Sequence, residues 1–144
     1  MQIIRMRKED IIQIAALEKQ VFSMPWSEQG FLDTLSMPNV IFYEAVEAAQ
    51  VCGYCGIYLA ADEGEITNVA VDPAYRRRGI AESMVTKLME AAAGEGARQF
   101  VLEVRASNEP AIRLYEKLGF TGCGVRKHFY EKPTEDAIVM ICRQ

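Results

Sequence analysis

The sequence has no basic excess, no long apolar run and no low-complexity stretch, and each absence excludes a class of protein. It contains 16 lysines and arginines against 20 aspartates and glutamates, whereas nucleic-acid-binding domains usually carry a basic surplus. No segment is apolar for long enough to cross a bilayer, and the amino terminus lacks the apolar core of a secretory signal. We therefore expect a cytoplasmic protein with no nucleic-acid or membrane partner, in which any anion site is local.

Metal ligands are also scarce. The chain has one histidine, His128, and four cysteines, of which only Cys52 and Cys55 have the spacing of a zinc or redox pair. The residues around that pair predict a strand, on which side chains three apart point to opposite faces. We therefore expect buried thiols and no metal site.

What the chain does contain is a regular alternation of helical and strand patterns. Its 144 residues suffice for one domain, 1–144, and no linker or repeat marks a second. Apolar spacing predicts four helices and seven strands. The helices cover 8–22, a short segment capped by Ser27, 78–93 and 108–119; the strands cover 2–5, 40–47, 51–60, 65–71, 99–105, 120–129 and 137–142. This order predicts an α/β or α+β domain with a mixed sheet.

A basic, glycine-containing turn lies between the fourth strand and the long third helix, at Arg76-Arg77-Arg78-Gly79-Ile80-Ala81. The first amides of a helix have no internal partner and lie at the positive end of its dipole, so this position suits a pyrophosphate. The turn is neither a Walker loop nor a complete dinucleotide-binding fingerprint. A solvated basic loop is the alternative.

Two residues with chemical potential follow that helix. Glu103 is the one carboxylate in an apolar strand; it is either exposed or salt-bridged, or it lies in a cleft where desolvation raises its pKa into the range of a general base. Tyr115 lies on the apolar face of the next helix, where packing is the commoner role. A phenol, with a reference pKa of about 10, can nevertheless protonate a thiolate of pKa about 8.5. Their shared strand-cap-helix unit favours a functional pair.

Together these motifs resemble the GNAT superfamily of N-acetyltransferases, over nearly the whole chain and in the same order. The most specific stretches are Leu102-Glu103-Val104-Arg105-Ala106-Ser107-Asn108 and the Leu114-Tyr115 to Gly119-Phe120 segment, and Pro25-Trp26-Ser27 and Asn68 to Pro73 agree with them. Within the superfamily, they are similar to the branch that acetylates the N-terminal alanine of ribosomal proteins. The resemblance implies a mostly antiparallel sheet of six to seven strands flanked by about four helices.

The resemblance also implies a role for each matching residue. Glu103 would accept a proton and Tyr115 would donate one. Acetyl-CoA would be the co-substrate, with no metal, and its arm and pyrophosphate would lie along Val69, Ala70, Val71, Arg77, Arg78, Gly79, Ile80, Ala81, Glu82 and Asn108. The acceptor peptide would contact Trp26, Arg126 and Tyr130.

The implied reaction is acetyl transfer to a protein N-terminal α-amine, with a ribosomal protein as the partner and the enzyme acting as a monomer or weak homodimer. Two departures from the family pattern bear on this: His128-Phe129 alters the peptide side, and Glu82 places a negative charge beside the phosphate turn. Three alternatives remain open. These are acetylation of a lysine or a small amine, a non-catalytic acetyl-CoA-binding module, and a plain anion-binding domain.

Overall fold

The computed structural model describes residues 1–144 and contains one seven-stranded sheet with four helices. The strands are β1 (Gln2–Arg5), β2 (Val40–Glu47), β3 (Gln50–Ala60), β4 (Glu63–Val71), β5 (Gln99–Arg105), β6 (Thr121–Tyr130) and β7 (Glu135–Arg143). The helices are α1 (Ile11–Val21), α2 (Glu28–Leu35), α3 (Ile80–Gly94) and α4 (Glu109–Lys117), and short 3-10 turns occur at Lys8–Asp10 and Pro73–Tyr75. No helix is both long enough and apolar enough to span a membrane.

The strand order is β1-β2-β3-β4-β5-β7-β6, and only β4 and β5 run parallel. The connection between these two strands is α3, since a parallel pair needs a crossover. The mostly antiparallel mixed sheet expected from the sequence is therefore confirmed.

Each face of the sheet carries its own core. On the first, which we call the α1 face, Ile14 and Leu17 of α1 and Phe31 of α2 pack on Val51 and Tyr54 of β3. On the second, the α3 face, a larger cluster includes Met84, Val85 and Leu88 of α3, Tyr115 of α4 and the inward residues of the strands, such as Phe100 and Leu102. The two apolar helix stripes thus fix which side of the sheet each helix covers.

The parallel ladder between β4 and β5 is very short. It pairs Glu63 with Gln99, Gly64 with Phe100 and Glu65 with Val101, and ends there. Beyond these pairs β4 continues to Val71 and β5 to Arg105 without bonding to each other, so the sheet opens between them. This gap positions the candidate site.

Helix and strand ends match the sequence patterns closely, with one instructive difference. Ser27 accepts a hydrogen bond from the Gly30 amide and caps α2, as predicted. However, α3 begins at Ile80 rather than at Arg78, because Arg77 (φ 67°) and Gly79 (φ 73°) adopt left-handed conformations that a helix cannot include.

The prediction that Cys52 and Cys55 face opposite sides is wrong. The β2–β3 register passes from Ala45–Gly53 to Val46–Val51, so Cys52 is the extra residue of a bulge. The inserted residue shifts the alternation by one, and both thiols belong to the α3-face core. Both are buried and free, and no three His, Cys, Asp or Glu side chains come together in a way that could hold a metal ion.

A buried pair of carboxyl groups lies on the α1 face, and no sequence pattern predicted it. Glu44 of β2 is fully buried; its Oε2 accepts the Arg7 amide at 2.9 Å, and its Oε1 has no donor. Burial, reinforced by the Asp10 carboxylate, raises the pKa of Glu44 to about 8. Protonated Glu44 can therefore donate a hydrogen bond to the Asp10 carboxylate, which gives both carboxyl groups a partner. Arg7 forms an ion pair with Asp10 at 2.8 Å.

This pair predicts a stability that falls as the pH rises. Because the folded-state pKa of Glu44 exceeds its ordinary value of 4.5, its contribution is complete below pH 4.5 and lost through pH 8. Between pH 5 and 8 the free energy of unfolding of wild type should fall relative to Glu44→Gln by on the order of 1 kcal/mol per pH unit. Urea unfolding of both proteins across this range measures the difference, and parallel pH profiles would contradict the assignment.

Candidate functional site

The turn before α3 and the first residues of α3 present a series of backbone amides with no partner in the chain. None of the amides from Arg77 to Glu82 donates a hydrogen bond; the first that does is Ser83, to Gly79 O at 3.1 Å. A β-carbon at Gly79 would meet nothing within 4 Å, so glycine is favoured there by its positive φ rather than by lack of space. Arg77 adopts a similar φ without being glycine, and strained residues of this kind cluster at ligand-binding sites as well as in ordinary turns.

The charges around this turn leave it positive. Arg78 lies 3.6 Å from Glu47 and stacks on Tyr75, whereas Arg76 and Arg77 are exposed and form no ion pair. Glu82, the departure noted in the sequence, is paired with Lys117 of α4 at 2.9 Å. Its charge is therefore compensated, and the turn keeps the character of an anion site.

The end of β4 forms one wall of the gap. The β3–β4 register passes from Gly56–Asn68 to Ile57–Ile66, so Thr67 is a bulge residue. The bulge turns Asn68 and Ala70 toward the α1 face, while Val69 and Val71 contact the α3-face core. The edge of β4 from Ile66 to Val71 that faces β5 has no strand partner.

Glu103 of β5 lies on the other wall of the gap. Its neighbours Leu102 and Val104 are buried in the α3-face core, so strand alternation directs Glu103 toward the α1 face. Its side chain is 19% exposed, and its Oε1 lies 3.6 Å from Arg126 Nε of β6. The sequence offered cleft or salt bridge as alternatives; the structure shows a partly buried carboxylate with an arginine beside it.

Tyr115 approaches from the opposite face. The residue is 7% exposed and its ring packs edge-on against Phe120, and its hydroxyl makes no hydrogen bond within the chain. Burial, with smaller contributions from Cys55 and Tyr130, raises the pKa of Tyr115 well above its ordinary value. The phenol therefore keeps its proton throughout the neutral range.

Tyr130 lies near both of these groups. Burial raises the pKa of Tyr130 to about 12, and the negative charge of Glu103 adds to the rise. Arg105 stacks 4.5 Å above its ring and donates to the carbonyl oxygens of Glu131 and Pro133 at 3.0 and 2.9 Å. Arg105, which the sequence did not single out, thus holds the β6–β7 turn against β5.

Two other predicted residues have clear structural contacts. Asn108 is exposed and caps α4, its Oδ1 accepting the Ala111 amide at 3.3 Å. Trp26 packs against Phe31 and Phe42, with ring centroids 5.3 and 6.3 Å apart. Their predicted contacts with coenzyme and acceptor stay predictions.

The sequence patterns did not single out a further carboxylate, Glu18. It is 2% exposed and lies in α1, and its Oε2 accepts the backbone amide of Trp26 at 2.9 Å. Burial raises the pKa of Glu18, while the hydrogen bonds from Trp26 and Asn68 oppose that rise. A signal was available: Glu18 interrupts the apolar stripe of α1, seven residues after Ile11 and four after Ile14.

Comparison with known proteins identifies the family of this chain and proteins that share its fold. The family model described as Acetyltransferase (GNAT) family matches residues 10–120. The chain belongs to this family. A relative from Bacillus subtilis, provisionally named as a ribosomal protein bS18-alanine N-acetyltransferase, is 37% identical to this chain over 136 residues. The match covers 94% of this chain and 90% of the relative.

Two solved structures share the fold. The ribosomal-protein-S18-alanine N-acetyltransferase from Escherichia coli superposes with a TM-score of 0.90 at 29% identity, over 99% of this chain and 92% of that one. An N-acetyltransferase from Thermoplasma acidophilum, crystallised with coenzyme A, has a TM-score of 0.81 at 15% identity, over 99% and 98% of the two chains. The second of these proteins thus binds coenzyme A on the same fold.

Proposed function

We propose that this chain transfers the acetyl group of acetyl-CoA to a protein N-terminal α-amine, with the N-terminal alanine of a small-subunit ribosomal protein as the acceptor. The observation that carries the proposal is the gap between β4 and β5, which has Glu103 on its α1 face and Tyr115 on its α3 face. The unpartnered amides of Arg77 to Glu82 follow the end of β4, where the sheet is open. The names of the relatives support the acceptor. Residues 1–144 would act as a single domain, as a monomer or weak homodimer.

Acetyl-CoA would bind with its pyrophosphate on the amides of Arg77 to Glu82. Charge-assisted contacts from the side chains of Arg76 and Arg77, which form no ion pair within the chain, would strengthen this binding. The pantetheine arm would then run along the unpaired edge of β4 at Val69 to Val71, since its amides can bond there as a strand would. Asn108 would contact the coenzyme from the start of α4.

The acceptor would enter from the α1 face, where Trp26 lies and toward which Glu103 points. Glu103, directly or through water, would take the proton from the amine as its nitrogen bonds to the thioester carbon. Backbone amides of the splayed β4 would stabilise the oxyanion. Arg126 and Tyr130 would contact the peptide beside Glu103.

Collapse of the tetrahedral intermediate breaks the carbon–sulfur bond, and Tyr115 would give its proton to the departing thiolate. Its raised pKa favours this role, because the phenol stays protonated until a strong base forms beside it. Solvent returns the proton afterwards. The residues of this chain thus hold and move both protons.

The chemistry of amines favours an α-amine as the acceptor. With a reference pKa near 8, roughly a tenth of α-amines are neutral at pH 7, whereas a lysine of pKa 10.4 is neutral in about one case in 2,500. A peptide beginning Ala-Arg should therefore be acetylated at its terminus, and the same peptide with a blocked terminus and an internal lysine should react at least about a hundredfold more slowly. Mass spectrometry of both, with a polyamine as a third acceptor, distinguishes the alternatives. Faster turnover of the lysine peptide or of the polyamine would replace the proposed acceptor.

A further inference from the structure

The buried carboxylate of Glu18 joins three separate segments of the chain. Its Oε2 accepts a hydrogen bond from the Trp26 backbone amide at 2.9 Å. Its Oε1 accepts hydrogen bonds from the Tyr54 hydroxyl and from the Asn68 side-chain amide, the second at 3.4 Å. These donors come from the α1–α2 connection, from β3 and from β4. A carboxylate that accepts three bonds in an apolar core is a costly group that persists only when all its partners are in place.

Two of these segments form walls of the proposed acceptor site. The α1–α2 connection carries Trp26, and Asn68 directly follows the Thr67 bulge where β4 separates from β5. Without that bulge Asn68 would share the orientation of Ile66 toward the α3 face. The bulge therefore places Asn68 next to Glu18, to which its Nδ2 donates a hydrogen bond, whereas its Oδ1 is buried without a partner.

We propose that Glu18 is a positioning residue that fixes the Trp26 segment relative to the bulged part of β4, and thereby shapes the entry for a peptide acceptor. This inference rests on the proposed function for its substrate. Glu18 forms no hydrogen bond with Glu103 or Tyr115; it acts through the two walls that it joins. The coenzyme side of the gap, at the amides before α3, has no contact with it.

Two isosteric replacements separate the chemistry from the shape. Glu18→Gln can still accept the Trp26 amide, with its own amide turned toward the Tyr54 hydroxyl and Asn68 Oδ1, because both can accept a hydrogen bond. Glu18→Met fills the same space and accepts none of the three donors. Glu44→Met makes the identical change at the fully buried acid of β2, which accepts a hydrogen bond from the Arg7 amide and forms none with Trp26.

Steady-state kinetics provide the first measurement. Glu18→Met should raise KM for the Ala-Arg peptide about tenfold, while Glu18→Gln stays within about threefold of wild type. KM for acetyl-CoA should change less than about twofold in both, and Glu44→Met should leave both constants near their wild-type values. A purely structural role for Glu18 would lower the melting temperature without separating the two KM values.

Trp26, the only tryptophan, gives a second measurement that requires no turnover. Acrylamide quenching of its fluorescence should increase in Glu18→Met and remain unchanged in Glu18→Gln and Glu44→Met. If Glu18→Met does not fold, Glu18→Asp takes its place, since its shorter side chain cannot span from the Trp26 amide to Asn68.

The outcomes separate this inference from the proposed function. One outcome is that wild type acetylates the peptide and that Glu18→Met, or Glu18→Asp in its place, has the same peptide KM and the same quenching as wild type. That result would overturn the positioning role and leave the proposed function intact. If wild type does not acetylate the peptide, the proposed function fails, and unchanged quenching in the variant would then overturn the role of Glu18 independently.

Discussion

Replacement of Tyr115 by phenylalanine should lower kcat about a hundredfold or more at saturating acetyl-CoA, because the departing thiolate would lose its proton donor. The ring should remain packed against Phe120, and the missing hydroxyl leaves no internal partner unsatisfied. Both KM values should therefore change little. A fall in kcat with unchanged KM indicates the loss of an interaction that is made only in the transition state. Initial rates across both substrate concentrations measure this separation.

Tyr43 provides the matched control for that experiment. It belongs to the same α3-face core and is also 7% exposed, but it lies on β2 beside Arg5 and Lys87. Tyr43→Phe should keep kcat within about twofold of wild type, as expected for a hydroxyl with no part in the chemistry. Equal effects of the two substitutions would show that Tyr115 contributes packing alone.

The second large effect is expected from Glu103→Gln, which should lower kcat/KM for the peptide about a hundredfold at pH 7. The amide has the shape of the carboxyl group but cannot accept a proton, and it no longer neutralises Arg126. The deficit should shrink as the pH rises toward 9, because the acceptor amine then loses its proton without help. The pH profile of kcat/KM for both proteins measures the effect.

Glu95→Gln, at the exposed end of α3, makes the same change in charge far from the gap and serves as the control. A Glu103→Gln deficit that stays constant with pH would assign Glu103 to orientation of the peptide or of Arg126 rather than to proton transfer.

Much of the fold follows from local patterns in the sequence. β1, β2 and β5 have the boundaries that their apolar runs predict, and Ser27 and Asn108 cap the helices they precede. These features depend on neighbouring residues, so a sequence is sufficient to find them. The left-handed turn at Arg77 and Gly79 marks the limit, because an arginine with positive φ has no local signature.

The site was harder to predict wherever a bulge intervenes. A bulge moves every later side chain of its strand to the other face, as Cys52 and Asn68 show. Pairs distant in sequence, such as Glu103 with Arg126, Glu82 with Lys117, and Glu18 with the Trp26 amide, depend on the tertiary arrangement. The sequence pointed to Glu103 and Tyr115, but their approach from opposite faces of the sheet required the strand register.

The three-pair ladder between β4 and β5 has one more consequence. A sheet that parts after so few pairs leaves main-chain donors and acceptors without neighbours in its middle rather than at its rim. An extended molecule that carries amide groups can lie between β4 and β5 and form with β4 the hydrogen bonds that a neighbouring strand would form. The coenzyme would then contribute to the cohesion of the two halves of the sheet as well as to the reaction.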